Sequence, residues 1–134
     1  MKLIDRIKKN EGFRSRVYKC TEGYDTIGYG FAIKDLELDE DISEMILTKK
    51  ITDLIGRIQV NFNFFRYADD HVKDVVVEMC YQLGVRGFSK FKKTIDHLEN
   101  KRYGKAAVEM LDSRWAKQTP NRAIELSNII KNLE

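Results

Sequence analysis

Residues 11–31 read EGFRSRVYKCTEGYDTIGYGF, and this stretch decides the fold of the N-terminal part of the chain. A β-prone run, RSRVYK, is followed by a predicted turn at residues 20–23 and by YDTIGYGF, which is rich in β-branched and aromatic residues. The isolated glycines Gly28 and Gly30 indicate a bulge or a close approach of the backbone to another group. The stretch therefore predicts a small antiparallel sheet over about 13–35.

The sequence on either side of this stretch is helical in pattern. Before it, KLIDRIKK has apolar residues on one face and predicts a short helix over about 2–10 that ends near Gly12. After it, Asp39 is a good N-cap residue for a long helix that runs to about 59.

The remainder of the chain reads as helical, with predicted helices over about 69–83, 90–100, 104–112 and 120–132. GVRGFSK is predicted to be a loop, and the aromatic residues of NFNFFRYADD are predicted to fill the core. Thr119 and Pro120 mark a helix start, with threonine as the N-cap and proline at the first helical position.

These elements together predict an α+β fold that is mostly helical. We expect one domain over 1–134, in which a long helix joins a small sheet lobe to a helical lobe. The small lobe is expected over about 13–58, and the helical lobe over about 59–134 together with the N-terminal helix at 2–10.

Composition narrows the classes of function. The chain has 134 residues and a net charge of +3, and its 24 basic residues are interspersed with 21 acidic ones without forming a stripe. We therefore expect no nucleic-acid partner. No apolar run approaches the roughly 20 residues that a membrane span needs, so no membrane insertion is expected. The first residues lack the apolar run of a signal peptide, which favours a protein made and kept in a cytoplasm until something releases it.

The cysteines and histidines do not have the spacing of a disulfide or a metal site. Cys20 and Cys80 lie far apart and are expected to be free thiols in a reducing compartment. His71 and His97 have no matching set of ligands around them, so neither a metal nor a cofactor is expected.

Three side chains near the predicted hairpin could carry chemistry. Glu11 follows a helix, Cys20 lies in a turn and Thr26 lies in a strand, and each position alone has an ordinary structural explanation. A hairpin that folds back beside the helix end would bring all three to one wall of a cleft. An acid, a group that activates water and a hydroxyl that holds the water are what glycoside hydrolysis requires. The residues permit this interpretation without requiring it.

Two blocks of the sequence resemble the phage-type lysozyme (endolysin) family, and in particular its T-even bacteriophage members. The catalytic segment of that family has Glu, eight residues, Asp or sometimes Cys, five residues, Thr, and then Ile-Gly-X-Gly. Here these positions are Glu11, Cys20, Thr26 and residues 27–30. NKRYGKAAVEMLDSRWAKQTPNRA at 100–123 is similar to the C-terminal lobe of the T-even enzymes. The resemblance covers nearly the whole chain.

The resemblance implies a two-lobe lysozyme that cleaves the β-1,4 bond between N-acetylmuramic acid and N-acetylglucosamine for host-cell lysis. Glu11 would be the general acid, Thr26 would orient the attacking water, and Arg122 would pair with the catalytic glutamate. The substrate-groove positions of the family fall on Ala32, Tyr81, Thr94 and Glu109. The T-even enzymes invert the anomeric configuration, so inversion is expected.

The resemblance also implies where such a protein works. Its partner would be the glycan strands of peptidoglycan, and it would act as a monomer without a cofactor. It would accumulate in the host-cell cytoplasm and reach the wall through a separate permeabilising protein.

The sequence departs from the family pattern in several places. Phe31 stands where the family has a histidine, and Ala32 and Glu109 differ from the usual groove residues. The span from Phe31 to Ile42 is considerably shorter than in the T-even members, which predicts a shortened small lobe and a lower, more open cleft wall. The departures keep a second interpretation open, in which the chain is a weak or silent wall-binding relative of lysozyme.

Cys20 replaces a carboxylate, and its protonation decides what it can do. An unperturbed thiol has a pKa of about 8.5 and is only a few per cent thiolate at neutral pH. Lys19, Arg14 and Arg16 would favour ionisation, whereas a nearby Glu11 carboxylate would oppose it. The thiolate could then act as a base, shield positive charge on the sugar or serve as a nucleophile.

Overall fold

The computed structural model describes the whole chain, Met1–Glu134. It is 69% helical and contains seven α-helices and one small antiparallel sheet, which confirms the expected α+β, mostly helical class. The chain divides into two compact units, which we call the N-terminal unit (Met1–Glu44) and the C-terminal unit (Met45–Glu134). The expected lobe boundaries, with the N-terminal helix assigned to the helical lobe, stay predictions.

The N-terminal unit begins with a short helix and continues into the sheet. Its elements are α1 (Leu3–Glu11), β1 (Arg14–Lys19), β2 (Asp25–Gly28), β3 (Phe31–Ala32) and a 3-10 turn (Ile33–Asp35). α1 ends because Gly12 adopts a φ of 70°, and the Gly12 N–H donates to the Lys8 carbonyl at 2.9 Å. The predicted helix stop is therefore confirmed.

The sheet has the order β1–β2–β3 with antiparallel pairing, as predicted. Tyr18 of β1 and Ala32 of β3 both lie opposite Thr26, so Thr26 occupies the middle strand. It is the one buried residue of the N-terminal unit. A segment of this size with so little buried surface has almost no core of its own.

The long helix predicted from Asp39 is α2 (Glu40–Asn61). Its N-cap is confirmed, because the Asp39 carboxylate accepts a hydrogen bond from the Ile42 N–H at 2.9 Å. The remaining elements are a 3-10 helix (Asn63–Tyr67), α3 (Asp70–Ser89), α4 (Lys92–Glu99), α5 (Tyr103–Leu111), α6 (Arg114–Gln118) and α7 (Pro120–Lys131). No helix combines the length and the apolar character that a bilayer crossing requires.

The C-terminal unit has a continuous apolar core. Its fully buried side chains come from α2, α3, α5 and α7 and include Ile58, Val76, Met79, Phe88, Met110, Leu126 and Ile130. Of the aromatic residues predicted to fill the core, Phe65 is buried, as expected. Tyr67 is 85% exposed, so the prediction is wrong for that residue.

One local prediction in the C-terminal unit is wrong, and a second is confirmed only in part. The predicted GVRGFSK loop is helical to Ser89, because the backbone breaks only at Gly84 (φ 77°, ψ 160°) and burial of Phe88 favours a resumed helix. Thr119 does precede Pro120 at the start of α7, but its side chain does not cap that helix. The hydroxyl donates instead to the Trp115 carbonyl at 3.0 Å and closes α6, a helix that the sequence analysis did not predict.

Candidate active site

Glu11 is the last residue of α1, and its side chain is exposed. Its carboxyl group packs against the Cα of Gly30, in the turn between β2 and β3. A Cβ atom on Gly30 would overlap the Glu11 Oε2 atom and would lie 3.1 Å from Cδ. Gly30 also has a φ of 75°, which side chains other than glycine rarely adopt. The close approach that the sequence predicted at Gly30 is therefore an approach to the candidate general acid.

Gly28 has the same kind of constraint with a different neighbour. Its φ is 70°, and a Cβ atom there would lie 2.7 Å from two ring carbons of Phe31. Phe31, the residue in place of the family histidine, thus packs on the backbone of its own turn.

Cys20 follows β1 and closes the hairpin loop through its backbone. Its N–H donates to the Tyr24 carbonyl at 3.0 Å, and its carbonyl accepts from the Gly23 N–H at 2.9 Å. The pKa of the Cys20 thiol is lowered from its ordinary value, chiefly because the backbone N–H groups of Tyr24 and Glu22 stabilise the thiolate.

The expected causes of this pKa shift need correction. The lowering comes from backbone donors, whereas the Lys19 ammonium is engaged in an ion pair with Asp25 at 2.8 Å. The carboxylate that opposes ionisation is that of Glu22, a residue of the hairpin loop itself.

Thr26 lies beside Cys20 in the hairpin and is 3% exposed. Its hydroxyl donates to the Tyr24 carbonyl at 2.9 Å, and the hydroxyl also lies near the Cys20 sulfur, where it helps to lower the thiol pKa. A hydroxyl has one proton to share between these acceptors, while its oxygen lone pairs remain able to accept a hydrogen bond from water. The structure therefore brings the predicted thiol and hydroxyl together.

Ala32, the predicted groove residue of the N-terminal unit, lies on β3 directly opposite Thr26 and is partly exposed. Its methyl group offers packing surface but no hydrogen bond. A sugar hydroxyl near this position would have to find its polar partners elsewhere.

Two of the predicted groove residues in the C-terminal unit lie in one cavity. Thr94 of α4 and Glu109 of α5 line a cavity of about 500 Å³, together with the aromatic side chains of Phe91 and Trp115. Tyr81, which lies on α3 and is 49% exposed, does not line this cavity.

The same cavity is lined by basic residues that were not singled out from the sequence. Four basic residues line it, against the acids Glu109 and Asp112; the basic residues are Lys90, Lys92, Lys93 and Arg114. The run SKFKK at 89–93 is the sequence signal that could have drawn attention to this cluster. The balance of charge favours ligands that carry anionic groups.

Arg122 of α7 forms an ion pair within the C-terminal unit. Its Nε donates to the Glu78 Oε2 of α3 at 2.8 Å, and both side chains are partly exposed. Glu78 was not singled out from the sequence. The expected pairing of Arg122 with the catalytic glutamate stays a prediction.

Comparison with known proteins agrees with these features. The sequence model of the phage lysozyme family matches residues 8–128. Probable T4-type lysozymes 1 and 2 of Dictyostelium discoideum are 30% and 27% identical to the chain over 158 residues, and each alignment covers 96% of the chain and 93% of the relative. The pre-baseplate central spike protein Gp5 of Enterobacteria phage T4 is 27% identical over 158 residues, which cover 97% of the chain and 28% of that protein.

These relatives define the protein as a lysozyme-like peptidoglycan hydrolase, which is an enzyme of the glycosidase type. The mostly helical fold with its small sheet, and the carboxyl group of Glu11 against the Gly30 turn, agree with this class. The chain belongs to the phage lysozyme family.

Proposed function

We propose that the protein is a muramidase that cleaves the β-1,4 bond between N-acetylmuramic acid and N-acetylglucosamine in peptidoglycan, for lysis of a bacterial host cell. The observation that carries the proposal is the placement of three reactive groups in one short unit. The Glu11 carboxyl group packs on Gly30, and the Cys20 sulfur lies beside the Thr26 hydroxyl.

In the proposed reaction, protonated Glu11 donates its proton to the glycosidic oxygen as the bond to the anomeric carbon breaks. A water molecule attacks that carbon from the opposite face of the sugar ring, which inverts its configuration. The Thr26 oxygen accepts a hydrogen bond from this water and orients it. The Cys20 thiolate takes the proton that the water loses, and its charge also favours the oxocarbenium-like transition state.

The lowered pKa of Cys20 supports its role as a base. Because backbone N–H donors stabilise the thiolate, more of the sulfur is ionised near neutral pH than in an unperturbed thiol. The protein thus compensates in part for the absence of a carboxylate at this position.

We propose that Ala32, Tyr81, Thr94 and Glu109 contact the glycan or its attached peptide, and that Arg122 supports the site. The basic cluster around the cavity of Thr94 and Glu109 suits the carboxylate groups that peptidoglycan carries. Glu109 itself would favour a neutral or positively charged group at its end of the cavity.

The biological setting follows from the same proposal. The partner is the glycan strand rather than a nucleic acid, and the protein acts as a monomer that does not insert into a membrane. It accumulates in the host-cell cytoplasm and acts on the wall after a separate permeabilising protein releases it.

The proposal is tested by digesting purified peptidoglycan with the wild type and with Glu11→Gln, followed by analysis of the new reducing ends. We expect N-acetylmuramic acid at those ends and a fall in kcat of roughly 10²–10⁴ in the variant, which is the usual contribution of a general acid. Glu37→Gln is the matched control, because Glu37 is an exposed carboxylate of the same unit.

Two results would contradict the proposal. Digestion at the wild-type rate by Glu11→Gln would exclude Glu11 as the acid. Wall binding without new reducing ends would favour the alternative, a silent wall-binding relative.

A further inference from the structure

We propose that the β2–β3 turn (residues 29–30) positions the Glu11 carboxyl group, with Gly30 setting its location and Tyr29 holding the turn against the end of α1. The inference rests on the proposed function of Glu11 as the general acid, and it assigns two positioning residues to that acid.

Gly30 sets the position of the acid by steric means. Gly30 leaves open the volume that a Cβ atom would fill, and the Glu11 carboxyl group occupies it, with Oε2 nearest. The φ of 75° keeps the turn in a conformation that glycine adopts without strain. Any larger residue at position 30 would have to displace the carboxyl group or distort the turn.

The turn is also anchored on both sides of Glu11. The Tyr29 ring packs against Phe13, two residues after Glu11, with ring centroids 5.4 Å apart. The Lys8 ammonium, three residues before Glu11, lies over the same ring at 5.6 Å from its centroid. Tyr29 therefore contacts the chain before and after the acid, and these contacts keep Gly30 against it.

Such anchoring matters because the N-terminal unit has little core that could fix the end of α1. A general acid is effective only when its proton lies within hydrogen-bond reach of the leaving oxygen. A displacement of about 1 Å can lower the rate on the order of 10²-fold. Loss of positioning should therefore appear in kcat, while KM, which depends on glycan contacts spread over a larger surface, should change little.

The kinetic test compares four variants on a soluble peptidoglycan fragment. We expect Gly30→Ala and Tyr29→Ala to lower kcat by roughly 10- to 10²-fold with KM nearly unchanged. Tyr29→Phe keeps the ring and should retain the wild-type kcat. Gly84→Ala is the matched control, because Gly84 has a φ of 77° but open space around its Cα, so it adds backbone strain without a collision.

A structural measurement makes the test independent of turnover. In the wild type, a nuclear Overhauser effect should connect the Gly30 Hα protons to the Glu11 side chain. The two are close, because a Cβ atom built on Gly30 would lie 3.6 Å from the Glu11 Cβ. The effect should weaken in Tyr29→Ala and persist in Tyr29→Phe.

The outcomes separate this inference from the proposed function. Wild-type kcat in Gly30→Ala, or the absence of the nuclear Overhauser effect in the wild type, would overturn the positioning role even if Glu11→Gln is inactive. If the wild type does not cleave peptidoglycan, the proposed function fails, while the nuclear Overhauser effect still decides whether the turn holds Glu11.

Discussion

The two units of the molecule hold their side chains in place by different kinds of contact. In the C-terminal unit a continuous apolar core holds the helices, with side chains such as Met79 and Ile130 fully buried. In the N-terminal unit, which carries Glu11 and Cys20, Thr26 is the one buried residue. There, glycine turns, backbone hydrogen bonds and ring contacts surround the proposed catalytic side chains. The two units therefore differ in what holds their side chains: burial in the C-terminal unit, and local backbone and ring contacts in the N-terminal unit.

The two cysteines show the same contrast in chemical terms. Burial raises the pKa of Cys80 in the C-terminal unit to about 12, with a smaller opposing effect of Arg57. Backbone donors lower the pKa of Cys20 in the N-terminal unit. One thiol is packed as a small apolar side chain, and the other is stabilised as a thiolate.

The largest predicted effect is therefore a difference in alkylation. At pH 7.5 iodoacetamide should modify Cys20 much faster than Cys80, because the pKa of Cys20 is lowered, the pKa of Cys80 is raised to about 12, and Cys80 is buried. Mass spectrometry of digested protein would measure both rates. Equal rates of labelling of the two thiols in the folded protein would contradict this prediction. In denaturant the difference in rate should disappear.

The second prediction concerns stability and uses the same substitution in both units. Ile130→Ala, at a fully buried position of α7, should lower the free energy of unfolding by about 2–5 kcal/mol. Ile4→Ala, at a position of α1 that is 61% exposed, should change it by no more than about 0.5 kcal/mol. Urea denaturation followed by circular dichroism would measure both. A comparable cost at Ile4 would show that the apolar face of α1 is covered.

The third and smallest predicted effect is on the pH dependence of activity. A thiol ordinarily ionises at higher pH than an aspartic acid, with reference pKa values of about 8.5 and 3.9, so Cys20→Asp should move the pH optimum of kcat/KM to lower pH. Cys20→Ala should lower the rate because no base remains. If Cys20→Ala reproduces the wild-type profile, the sulfur has no catalytic role.

Local signals in the sequence were sufficient for much of the fold. Gly12 and Asp39 mark the end of α1 and the start of α2, because a positive φ and a side-chain cap act within one helical turn. Gly84 shows the limit of such signals. It breaks the helix at one residue, but the burial of Phe88 is a tertiary effect that no local pattern contains.

For the candidate site, the sequence offered residues but not their contacts. The glycine spacing indicated a close approach near Gly30, but the sequence does not say that the approaching group is Glu11. The cause of the Cys20 pKa shift was also missed, because charged neighbours are visible in a sequence whereas the directions of backbone N–H groups are not. The ion pair of Arg122 with Glu78 spans 44 positions and has no local signature.

The central claim is that Glu11, Cys20 and Thr26 hydrolyse a glycosidic bond with inversion. Proton NMR during digestion of peptidoglycan by the wild type tests it most directly, since it identifies the anomer at each new reducing end before mutarotation. Inversion at a β-1,4 bond predicts that the α-anomer of N-acetylmuramic acid appears first. First appearance of the β-anomer would contradict the account and would point to Cys20 as a nucleophile.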